Sequence, residues 1–99
     1  MVMEFKSFIK LIVEKLIRFP EIEFAYLFGS ILKKEVEKAE DIDIAIFSNE
    51  TLSKSEIIRM KLELESLLSV KLRKDLEIAP LNFADPLFIH QVLRDKQVY

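Results

Sequence analysis

The chain has 99 residues, of which 51% are apolar and 32% charged, a balance that suits one globular domain over residues 1–99 and not a disordered segment. Fifteen Lys and Arg against 17 Asp and Glu leave a net charge of −2, which gives no electrostatic basis for direct nucleic-acid binding. Cysteine is absent, so disulfides and thiol catalysis are excluded, and apolar stretches broken by Lys and Glu predict neither a membrane span nor a signal peptide; a cytoplasmic location is expected.

Over residues 4–19, Phe5, Phe8, Ile9, Ile12, Leu16 and Phe19 recur at helical spacing, and Pro20 stops the helix they predict. Residues 23–28 form an apolar run that reads as a central strand. Gly29 then permits a sharp turn. Ser30 either caps a short helix over 30–38 or holds a phosphate oxygen through its hydroxyl and N–H. The charged run 33–40 reads as a solvated helix end and loop.

Residues 41–47 form a second buried strand, ended by the turn residues Ser48-Asn49-Glu50. Ser53-Lys54-Ser55-Glu56 is a capping box, and Ile57, Met60, Leu64 and Leu67 continue a helix to about Val70. Residues 76–81 predict a third strand. Within it Glu77 is either on the solvated face of an edge strand or, if that strand lies beside the second, part of a three-carboxylate cluster. Asp85-Pro86 opens a last helix to about Arg94. His90 has no second His or Cys for company and reads as a surface or interface residue. This order predicts an α/β fold, a small mixed β-sheet flanked by helices.

Asp41 and Asp43 are two apart on a strand and so project to the same face. Carboxylates held side by side repel unless a cation or a proton lies between them. Oxygen-only ligands suit Mg²⁺, and two such ions can hold the attacking and leaving oxygens of an in-line displacement. Together with a glycine-serine turn, this pattern points to a metal-bound nucleotide.

The order Leu27-Phe28-Gly29-Ser30, ten residues, then Asp41-Ile42-Asp43 resembles the signature of the DNA polymerase β-like nucleotidyltransferases. More narrowly, the chain resembles the minimal nucleotidyltransferase proteins, small antitoxin partners of HEPN-type toxins. The likeness runs over residues 22–99 and includes Leu81-Asn82-Phe83-Ala84-Asp85-Pro86-Leu87 and Val98-Tyr99. It implies the polymerase β palm-like fold and ATP as substrate. Asp41, Asp43 and Glu77 would serve as catalytic metal ligands for Mg²⁺, with Asp75 the neighbouring alternative to Glu77. Gly29, Ser30 and Lys33 would hold the outer phosphates.

The resemblance further implies transfer of AMP to a tyrosine of a partner HEPN ribonuclease, in a hetero-oligomer, with the apolar last helix as a docking face. Three features depart from the family pattern. Ile31 and Leu32 follow Gly-Ser where arginine and small residues are common, so that either Lys33 and Lys34 take over the phosphate contact or nothing does. Glu40 stands where serine is common, and Glu77 is one methylene longer than the usual aspartate. Two other readings fit the same residues: a degenerate antitoxin that neutralises by contact, and the catalytic subunit of a two-chain small-molecule nucleotidyltransferase.

Overall fold

The structure is a computed structural model that describes residues 5–28, 41–95 and 97–98. Its elements are α1 (Phe5–Leu16), β1 (Ile22–Phe28), β2 (Asp41–Ser48), α2 (Lys54–Leu72), β3 (Asp75–Pro80), a 3₁₀ turn at Leu81–Phe83, α3 (Pro86–Asp95) and β4 (Gln97–Val98). The short helix expected over 30–38 lies outside the described residues. No helix among them is long and apolar enough to cross a membrane.

The strands form one mixed sheet in the order β3-β2-β1-β4. β1 runs antiparallel to β2 and β4, whereas β2 and β3 are parallel. A parallel pair needs a long crossover, and α2 supplies it. The two apolar runs, β1 and β2, take the central places, as their composition predicts. β4 is a pairing without a local signal: two residues set Val98 against Tyr26 and Gln97 against Leu27.

Alternation along the strands divides the core. Ala25, Leu27, Ile42, Ile44, Ile46 and Ile78 meet Phe8, Ile12 and Leu16 of α1 and Met60, Leu64, Leu68 and Leu72 of α2. The opposite face carries Tyr26, Phe28, Ala45 and Phe47, packed with Leu81 and with Phe88, Ile89 and Val92. There the rings of Phe28 and Phe88 meet edge to face, 5.8 Å between centroids. Ile42, Ile44, Ala45 and Ile46 are all buried because β2 is covered on both sides.

Element ends differ modestly from expectation. α1 stops at Leu16, and the N–H groups of Arg18 and Phe19 bond three residues back, to Lys15 at 3.2 Å and Leu16 at 2.9 Å. Such tightening is the usual way a helix unwinds ahead of a proline, here Pro20. The capping box forms as expected: the Glu56 N–H donates to Ser53 Oγ at 3.2 Å, and the Ser53 N–H donates to Glu56 Oε1 at 3.0 Å. α2 runs on to Leu72, with Leu68 in the core and Leu67 half-buried, and ends at Arg73 in the left-handed region, φ 53° and ψ 40°. Leu81, expected at the end of β3, opens the 3₁₀ turn instead. One residue on, Asn82 clamps the far end of β2. Its Oδ1 accepts the Ser48 N–H at 3.0 Å, and its Nδ2 donates to the Ser48 carbonyl at 2.9 Å.

Candidate functional site

β2 begins at Asp41 and β3 at Asp75, and their parallel register sets Asp41 against Asp75, Ile42 against Leu76 and Asp43 against Glu77. Ile42 and Leu76 turn into the α1–α2 side of the sheet. The residues on either side of them must then project from the other side. Four carboxylates, Asp41, Asp43, Asp75 and Glu77, therefore share one face at one end of the sheet. Hydrogen-bonded strands lie about 4.8 Å apart, so the acids of each pair are immediate neighbours.

Antiparallel β1 ends at this same place, where Phe28 pairs with Asp43. Asp41, Asp75 and Glu77 are exposed, while Asp43, flanked by β1 on one side and β3 on the other, is half-buried. An open cavity of about 460 Å³ lies against both strand starts, from Asp41 to Asp43 and from Asp75 to Glu77. Burial, and secondarily the charges of Glu77 and then Asp41, push the Asp43 carboxyl above its ordinary pKa. The site thus concentrates negative charge that a bound cation would relieve.

Glu77 lies on β3 directly opposite Asp43, and its side chain is on the solvated face of this edge strand. Asp75 is on the same face, next to Asp41 and not to Asp43. Its place was foreshadowed by spacing: Asp75-Leu76-Glu77 repeats the acid–apolar–acid pattern of Asp41-Ile42-Asp43. Among the described residues, no three Asp, Glu or His side chains converge as a ready-made metal cluster. Gly29, Ser30, Ile31, Leu32, Lys33, Lys34 and Glu40 lie outside the described residues. The positions that flank this run, Phe28 and Asp41, both sit at the carboxylate end of the sheet. His90 is exposed on α3 and does not line the cavity.

The polymerase β nucleotidyltransferase family model matches residues 10–99. Over 74 residues the chain is 30% identical to "Putative protein adenylyltransferase MJ0435" of Methanocaldococcus jannaschii, covering 75% of each protein. Its fold is similar to a chain from the complex of tri-AMPylated Shewanella oneidensis HEPN toxin with MNT antitoxin, with a TM-score of 0.63, 26% identity, and 90% of this chain and 69% of that one covered. A toxin–antitoxin crystal structure with AMP-PNP matches with a TM-score of 0.68 and 27% identity, covering 90% of this chain and 70% of that one. With a family model over most of its length and a relative of 30% identity, the chain belongs to the polymerase β nucleotidyltransferase family.

Proposed function

We propose that this chain, acting as one minimal domain over residues 1–99, transfers AMP from ATP to a hydroxyl of a partner protein, and is the antitoxin of a HEPN-type toxin. The observation that carries the reading is the parallel β2–β3 register, which brings Asp43 beside Glu77 and Asp41 beside Asp75 on an open face. Likeness to a complex holding an AMPylated toxin, and to one holding an ATP analogue, supports the acceptor and the nucleotide.

Hard carboxylate oxygens fit Mg²⁺, which needs only one or two protein carboxylates when water and substrate phosphates complete its shell. Asp41, Asp43 and Glu77 would hold it, and their placement on one open face supports that assignment. When bound, Mg²⁺ supplies charge neutralisation for the triphosphate. Gly29, Ser30 and Lys33 are assigned to the outer phosphates on sequence grounds.

In the transfer, the acceptor hydroxyl oxygen bonds to the α-phosphorus while the bond to pyrophosphate breaks. Glu77, exposed at the rim, takes up the hydroxyl proton. Orientation of the acceptor would come from the partner; α3 leaves Leu87 and Leu93 exposed, and its Phe88 packs on Phe28, the strand residue paired with Asp43. Tyrosine is the acceptor this reading favours.

The test is label transfer from α-³²P-labelled ATP with Mg²⁺, using the chain co-purified with the protein it retains from its host. Label should appear on the partner and fall by about 100-fold or more in the Asp41→Asn, Asp43→Asn double variant. An unlabelled partner that the double variant still silences would overturn the enzymatic reading in favour of neutralisation by contact. Label on an added small molecule and not on the partner would point to the two-chain small-molecule enzyme.

A further inference from the structure

We propose that Glu65 of α2 is a positioning residue for the carboxylate face, holding β3 so that Glu77 stays opposite Asp43; the chemistry it serves rests on the transferase reading above. Among the described residues β3 is the edge strand of the sheet, with a neighbour on the β2 side alone. The outward N–H groups of an edge strand need an acceptor from elsewhere. The N–H of Ile78, the residue after Glu77, donates to Glu65 Oε2 at 2.8 Å. That same oxygen accepts from Lys61 Nζ at 2.8 Å, one turn earlier on α2, so the carboxylate is itself held in place. A bond to an ionised acceptor is shorter and stronger than one between neutral groups.

Packing alone does not locate Glu77. Its side chain is exposed, and its place is set by the strand that carries it. Ile78 anchors that strand in one direction by burying its side chain completely beneath the helices. Glu65 supplies the second restraint, along the edge. An apolar residue at 65 would cover the edge equally well but leave this N–H without an acceptor. Two residues further on, the in-phase position is Pro80, which has no N–H to satisfy. The Glu65 contact on the outer side of β3 thus falls immediately beside Glu77.

The experiment measures Mn²⁺ binding by paramagnetic broadening of the amide signals of Asp43 and Glu77, in the full chain and its Glu65 variants, alongside label transfer by each with the co-purified partner. Glu65→Ala should weaken Mn²⁺ binding by about tenfold or more while the chain stays folded, and Glu65→Gln, which keeps an acceptor oxygen, should restore it to within about threefold. Transfer by Glu65→Ala should fall in kcat per folded molecule at saturating Mg²⁺ and ATP. A purely structural role would lower the melting temperature and leave Mn²⁺ binding and kcat per folded molecule unchanged, which overturns the proposal. If Glu65→Ala does not fold, Lys61→Met, which frees the Glu65 carboxylate, must weaken Mn²⁺ binding, and unchanged binding overturns the proposal equally. Glu65-dependent Mn²⁺ binding without label transfer in the wild type would sink the transferase reading alone. Label transfer that ignores Glu65 would sink the positioning role alone.

Discussion

Asp43 and Glu77 are paired across the parallel β2–β3 ladder, and the negative charge of Glu77 helps to raise the pKa of Asp43. Carboxylates placed this closely are unfavourable by themselves, since the charges that would attract a cation also repel each other.

The pH dependence follows in sign. The folded-state pKa of Asp43 is raised above the ordinary 3.8, so its contribution to stability is whole below that value and is lost as pH rises through the folded pKa. Asp43→Asn is therefore expected to raise the melting temperature at pH 7 and to leave it nearly unchanged at pH 3. Millimolar Mg²⁺ should raise the melting temperature of the wild type more than that of Asp43→Asn. Thermal melts by circular dichroism across this range check both; a variant that melts lower than wild type at pH 7 would refute the first.

The N-terminus of α2 behaves in the opposite sense. The backbone N–H of Ser53, then its hydroxyl, hold the Glu56 carboxyl below its ordinary pKa. Its contribution is present above the ordinary carboxylate range and is lost as pH falls through the depressed value. Glu56→Ala, which removes the titrating carboxylate and leaves the Ser53 hydroxyl in place, is therefore expected to destabilise the chain at neutral pH. Urea denaturation should show that loss shrinking in acid, and an equal loss at pH 7 and pH 3 would count against the capping account.

Asn82→Ala removes both bonds to the Ser48 backbone and strips the N–H and carbonyl at the end of β2 of their partners. A loss of about 1–3 kcal/mol is expected from leaving such groups unsatisfied. Denaturation should register it as a lower urea midpoint with an unchanged slope. Because Ser48 and the carboxylates are at opposite ends of β2, label transfer by the folded variant should persist.

Arg73 is a non-glycine residue in the left-handed region, where its N–H bonds to Ser69 at 2.8 Å to finish α2. Glycine carries no Cβ to clash there, and Arg73→Gly is expected to stabilise the chain by about 1 kcal/mol. A lower melting temperature in the variant would show that the arginine side chain contributes more than its backbone costs.

Much of this protein is written in local patterns. The helical period in α1, the capping box before α2 and the Asp85-Pro86 start of α3 are each contained within a few residues, so they are legible without a partner. The same holds for Asp41-Ile42-Asp43, because two residues of strand suffice to put both carboxylates on one face. Helix ends were less legible: α2 outran its expected stop by two residues because Leu72 still had a core position to fill.

The third carboxylate was open in the sequence because two acids, Asp75 and Glu77, lie within one short strand and either could be the neighbour of Asp43. Only the register of β3 on β2 shows which of them lies opposite Asp43, since a shift of one residue would have turned both acids toward the helices. The two-residue β4 likewise had no period of its own to read, and it exists through its bonds to Tyr26 and Leu27. The amino-acid sequence by itself determined the three main helices, the first three strands and where the aspartate pair stands, for these depend on neighbours in the chain. Tertiary structure decided which acids meet, because strand pairing joins residues that the chain holds far apart.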